Sequence, residues 1–309
     1  MTMRARPAIF LLAAAMALGA AAPALARDCH LQEEASLDMT TESDGAVSIP
    51  MAINGHAGLM LIDTGSVQSS VAGALARQLN MPIQDAASTY SFVGGVRIDK
   101  TTTADTLQLG EMTAKKFPML VVPSKVLHDD TIGMLGPDIL QNYDVEFDFA
   151  AGKFNLFSPD RCAGQVVYWT KAAYAEVPLH LDRGGHLLID VVLNGKAITA
   201  GVDTGAFRSA MTMSVAQTVF GITPGDPAIT QLGTEAINGT KPVPVYHYPF
   251  GALQFEGVSV LNPDIELLGA DRFDTGGPQL ILGVSTLRQL HVYVAYDEKK
   301  LYLTPAEER

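Results

Sequence analysis

Two stretches of the chain share one pattern. Leu59-Met60-Leu61-Ile62 is a run of four apolar residues that ends on Asp63, Thr64, Gly65 and Ser66. Ala200-Gly201-Val202 leads in the same way into Asp203, Thr204, Gly205 and Ala206. A short apolar run closed by turn residues predicts a buried strand. An ionisable group at the end of such a strand is costly unless something pairs with it or uses it. Upstream, the alternation over Ala46–Ile53 predicts a strand, and Asn54-Gly55 is a hairpin turn that returns the chain to Leu59. Val71–Leu79 predicts a short helix, with Ala72, Ala74, Leu75 and Leu79 on or near one face. Tyr90–Ile98 divides around Gly94-Gly95 into a hairpin that could stand away from the core. Strands are predicted at Thr103–Leu109 and Phe117–Val122. A closing hairpin follows, made of Val145–Phe149 and Lys153–Phe157.

The second half repeats this plan. Ile49, Asn54, Gly55, Ala57, Asp63, Thr64 and Gly65 match Ile189, Asn194, Gly195, Ala197, Asp203, Thr204 and Gly205, each at an offset of 140. Leu135, Gly136, Leu140, Val145, Lys153 and Leu156 match Leu282, Gly283, Leu287, Val292, Lys300 and Leu303 at an offset of 147. Leu107-Gln108 against Leu253-Gln254 is offset by 146, so most of the extra length falls early. We place it around Gly233 to Tyr248, where the second hairpin is expected. A third Asp-Thr-Gly, at Asp274, lacks the apolar approach and runs into Gly277-Pro278, so it reads as a loop.

Charge and cysteines narrow the setting. Arg4 and Arg6 precede an apolar stretch from Ala8 to about Ala22, and Ala24-Leu25-Ala26 resembles a cleavage site. Residues 1–26 therefore read as an export signal, removed without leaving a membrane anchor, which places the protein in the periplasm or outside the cell. The formal net charge of −12, with no basic cluster, disfavours nucleic-acid and anionic-membrane binding. Cys29 and Cys162 are the two cysteines, and an oxidising compartment makes a bridge between them plausible. His56, His128, His180, His186, His247 and His291 are dispersed, and no metal cluster is visible.

If Asp63 and Asp203 meet, they cannot both ionise. One carboxylate then takes a proton from a trapped water while the other, protonated, hydrogen-bonds the carbonyl under attack. This is amide hydrolysis with no cofactor and no metal. Thr64 and Thr204 have hydroxyls that could cross-link two related turns, and Gly65 and Gly205 free their N–H groups to point at the carboxylates. At these residues the chain resembles the aspartic proteases of the retropepsin-like and pepsin-like superfamily. The resemblance extends to Met134-Leu135-Gly136 and Ile281-Leu282-Gly283, where Gly136 and Gly283 look like the family's psi-loop glycines. It covers residues 45–158 and 176–305. The chain departs from viral retropepsins after those glycines, where Pro137-Asp138 and Val284-Ser285 stand.

The resemblance implies a mostly β fold of two tandem retropepsin-like barrel domains that form a pseudo-twofold, bilobal cleft. The expected divisions are a signal peptide at 1–26, an N-terminal arm at 27–44, domain 1 at 45–158, a linker at 159–176 and domain 2 at 177–305. It implies an aspartic endopeptidase with Asp63 and Asp203 catalytic, Gly94 and Gly95 at a flap tip, and a peptide or protein as substrate. A monomer holding an intrachain pseudo-dimer is expected. Two alternatives stand beside this reading: a non-catalytic peptide-binding or scaffolding protein with the same fold, and a protease active only as a homodimer. Ser66 against Ala206 suggests that the two halves differ, with Asp63 the more readily ionised member.

Overall fold

The computed structural model describes residues 30–42, 45–93, 96–124, 127, 130–159, 162–235, 242–269 and 277–306. The expected signal peptide, Cys29, the Gly94-Gly95 tip and the Asp274 tripeptide lie outside the described residues.

The chain is mostly β and is built as two related halves. In the first half Val47–Ile53 and His56–Ile62 form an antiparallel hairpin. Its turn residues Asn54 and Gly55 have φ of 50° and 79°, and Asn194 and Gly195 have 45° and 78°. Asn and Gly are the residues that tolerate this left-handed backbone, which matches the twist of the flanking strands. Each Asn side chain also caps a later strand. Asn54 Oδ1 accepts from Thr106 N at 3.0 Å, and Asn194 Oδ1 accepts from Ala252 N at 3.2 Å.

His56–Ile62 and Lys196–Val202 each pair in parallel with a short apolar strand, Thr131–Leu135 and Leu280–Leu282 respectively. Met60, Ile62, Leu135, Ala200, Leu280 and Leu282 have no exposed surface. Burying a side chain of this size contributes about 1.5–3 kcal/mol, so the strands that carry the two aspartates are anchored rather than hinged.

Six consecutive strands of the larger sheet join the halves, in the order Glu33–Asp38, Lys153–Phe157, Asp144–Asp148, Leu290–Ala295, Lys300–Pro305, Ala175–Leu181. At their centre Glu146 faces Tyr293, two positions related by the offset of 147. A pair that is its own image lies on the pseudo-twofold axis. The N-terminal arm is thus built into the fold: Glu33–Asp38 is the edge strand, paired along Lys153–Phe157. The 159–176 stretch also packs. Trp169 stacks on His291 at 4.3 Å and donates from Nε1 to Thr304 Oγ1 at 3.1 Å. Beneath it the fully buried Glu146 accepts from Tyr168 OH at 2.7 Å and pairs with His291 Nε2 at 2.8 Å.

Strand register corrects the placement of the extra residues. Gln84 faces Thr101 and Thr230 faces His247, and both members of the second pair are offset by 146 from the first. The two long hairpins therefore match in length. The insertion lies before the second one, in the π-helical turn Ala216–Phe220 and the loop that follows it. Leu232-Gly233-Thr234 lies within the strand Thr230–Glu235, where Gly233 forms a bulge. Among the described residues no helix is long and apolar enough to cross a membrane.

Candidate active site

Asp63 and Asp203 sit at the ends of their buried strands, with backbone N–H groups bonded to Leu135 O at 2.9 Å and to Leu282 O at 3.0 Å. The turns that follow are locked to each other. The Thr64 hydroxyl donates to Val202 O and the Thr204 hydroxyl donates to Ile62 O, both at 2.8 Å. In return Thr204 N–H donates to Thr64 Oγ1 at 3.0 Å, and Thr64 N–H donates to Thr204 Oγ1 at 3.1 Å. Both threonines are 1% exposed, so these bonds are made away from water.

The cross-link brings the carboxyls together. A Cβ placed on Gly65 would fall on the Asp203 carboxyl, and one placed on Gly205 would fall on that of Asp63. Each carboxyl therefore lies over the other turn's glycine, a position that any side chain would occupy. Gly65 N–H donates to Asp63 Oδ1 at 3.0 Å. Gly205 and Ala206 N–H groups donate to Asp203 Oδ1 at 2.9 and 3.1 Å.

Burial governs the electrostatics of both carboxyls. Burial, and then the neighbouring Asp203 charge, push Asp63 up to about 8. Burial also raises Asp203, but its backbone donors, the charge of His186 and a hydrogen bond from Asp63 all oppose the rise. Asp63 has backbone donors of its own, Gly65 and Ser66, that oppose its rise, and the two buried carboxyls titrate as one pair that shares a proton. Ser66 does not act as its hydroxyl suggests in sequence. Ser66 Oγ donates to the backbone carbonyl of Asp63 at 2.9 Å, so it braces the turn instead of stabilising the carboxylate.

Sequence reasoning missed the serines that tie each turn to its psi-loop. Ser69 Oγ accepts from Gly136 N at 2.9 Å and donates to Asp138 Oδ1 at 2.6 Å. Ser209 Oγ accepts from Gly283 N at 3.0 Å and bonds Thr286 Oγ1 at 2.7 Å. The signal was present, because Ser69 and Ser209 are also 140 apart. Gly136 and Gly283 approach the neighbouring backbone closely: a Cβ on Gly136 would meet Gln68 C at 2.7 Å, and one on Gly283 would meet Ala206 O at 2.5 Å. Asp138, reached by Ser69 in this way, fills the place after Pro137 where the chain departs from viral retropepsins.

His186 was also missed. Its Nδ1 lies 2.8 Å from Asp182 Oδ2, and its loop is pinned to the first half by Gln141 Nε2, which donates to Gly185 O at 3.0 Å. Cys162 is disulfide-bonded, and the one other cysteine in the sequence is Cys29. Among the described residues no group of three or more His, Cys, Asp or Glu is arranged to hold a metal.

Residues 49–142 match the family model of the gag-polyprotein aspartyl protease, and residues 189–286 match that of an aspartyl protease. The chain belongs to the retropepsin-like aspartic protease superfamily. One matched region of this retropepsin-like protein contains the Asp63 turn with Gly136, and the other contains the Asp203 turn with Gly283. The crystal structure of basic 7S globulin from soybean has the same fold. It aligns with a TM-score of 0.53 at 12% identity, over 90% of this chain and 96% of that one. No curated protein sequence matches the chain.

Proposed function

We propose that this chain is an aspartic endopeptidase that hydrolyses peptide bonds with a water held between Asp63 and Asp203. The observation that carries the reading is the meeting of the two carboxyls, each over the other turn's glycine, on turns that are bonded reciprocally. The ionised member of the pair is the base that takes the water proton. The protonated member donates to the carbonyl oxygen as charge builds there. The substrate is an extended peptide, paired by its backbone beneath the long hairpins.

Both aspartates come from one chain, which supports a monomeric active species, since covalent fusion gives the halves a high effective concentration. The basic, apolar and Ala-x-Ala sequence before Arg27, with the disulfide at Cys162, supports action outside the cytoplasm.

The test is cleavage of a peptide library by the wild-type protein beside Asp63→Asn and Asp203→Asn. We expect cleavage that each substitution lowers by about a thousandfold or more. Cleavage surviving either substitution rules out the dyad. A protein that binds peptides without cutting them is the non-catalytic alternative. Sedimentation of the active species distinguishes a monomer from a homodimer.

A further inference from the structure

A cavity of about 700 Å³ opens directly from the second catalytic turn, beginning at Ala206. It runs between that turn and the hairpin formed by Thr230–Glu235 and Val243–His247. Phe207, Leu232 and Leu268 give it apolar walls long enough to hold an extended aliphatic side chain.

Its charged groups are few and unequal. Glu266 lines the cavity and is 4% exposed. One of its oxygens bonds Arg208 Nη1. A carboxylate in a cavity wall accepts a charge-assisted hydrogen bond from a cation that enters. Arg208 is occupied by this pair and stacks over the Phe207 ring at 5.7 Å. Glu235 lines the cavity from the hairpin. Asp264 adds negative charge near Arg208, faced by His247 at 3.7 Å. Within the lining, two carboxylates stand against one guanidinium.

We propose that this cavity is the specificity pocket of the peptidase and takes a lysine or arginine side chain of the substrate beside the scissile bond. The apolar walls hold the methylenes, and Glu266 and Glu235 receive the cationic end. The inference rests on the endopeptidase reading for its consequence, but the pocket's preference can be measured without catalysis.

Two measurements test it. The first is cleavage of a peptide set that varies one residue on either side of the scissile bond among Lys, Arg, Leu and Glu. The second is binding of the same peptides to the Asp63→Asn protein, read by fluorescence anisotropy. Lys and Arg peptides should be favoured over the Glu peptide by about tenfold, the effect of one charge-assisted hydrogen bond. Glu235→Gln should weaken the preference. Glu266→Gln, which releases Arg208, should turn it toward Glu. Arg208→Met, which frees Glu266, should strengthen it. Equal binding of Lys and Glu peptides, or a wild-type preference for Glu, overturns the pocket assignment. If cleavage continues in either case, the peptidase reading stands without it. If no peptide is cut but the Lys preference persists in binding, the pocket stands and the peptidase reading falls.

Discussion

Thr64 and Thr204 are each bonded to the turn that carries the other. Each hydroxyl donates to the carbonyl just before the opposite aspartate and accepts the opposite threonine's N–H. Thr204→Val would leave Ile62 O and Thr64 N–H unpaired in a buried place. We expect a loss of about 2–5 kcal/mol, whereas Thr204→Ser, which keeps the hydroxyl, should retain most of the stability. Urea unfolding of the two variants checks this. A Val variant within about 0.5 kcal/mol of wild type would mean that the cross-link adds nothing to stability.

Hydrolysis needs one proton on the dyad. With Asp63 pushed up to about 8 beside Asp203, the pair keeps that proton through neutral pH, so kcat/KM should fall as pH rises through about 8. Ser66→Ala should leave this limb in place, because Ser66 Oγ bonds a backbone carbonyl. His186→Ala removes positive charge that favours ionised Asp203, so the acidic limb should move to higher pH. Profiles of kcat/KM against pH for the three proteins are decisive. An acidic limb unmoved by His186→Ala refutes the electrostatic role of that histidine.

Asp144 should make stability fall with rising pH. Burial pushes its carboxyl up from 3.8 to about 7, against the Tyr293 hydroxyl, which donates to Oδ2 at 3.1 Å, and the Tyr296 backbone N–H. With its folded value raised, Asp144 contributes stability that is fully present below about 4 and is lost as pH rises through about 7. Asp144→Asn should therefore raise stability at pH 8 by on the order of 2 kcal/mol and change it little at pH 4. Denaturant midpoints at the two pH values test the sign.

Trp169 is the one tryptophan in the sequence, and it caps the Glu146–His291 pair. Trp169→Ala should cost about 3–5 kcal/mol, the range for truncating a large packed aromatic, and should open the buried Glu146–His291 hydrogen bond to water. The wild-type indole also serves as its own reporter. Its emission should shift to the red in the same transition that melts the β signal, because the 159–176 segment packs on the sheet joining the halves. A separate, earlier shift would show that this segment is an independent tether.

The sequence alone determined the doubled plan, the strand–aspartate–turn units, the Asn-Gly hairpins and the residues that would form a dyad. These features are local patterns or repeats at a fixed offset, and such patterns survive without coordinates. The tertiary structure decided what depends on neighbours remote in the chain. Asp63 and Asp203 are both pushed up because the fold buries the two carboxyls against each other. The insertion lies before the second hairpin because strand register, not similarity of the flanking residues, locates it. Glu33–Asp38, from the arm expected at 27–44, and Trp169, from the linker expected at 159–176, both pack on the sheet that joins the halves. Their partners, Lys153–Phe157 and His291, lie more than a hundred residues away. Desolvation and charge act through space, and the fold decides which residues share that space.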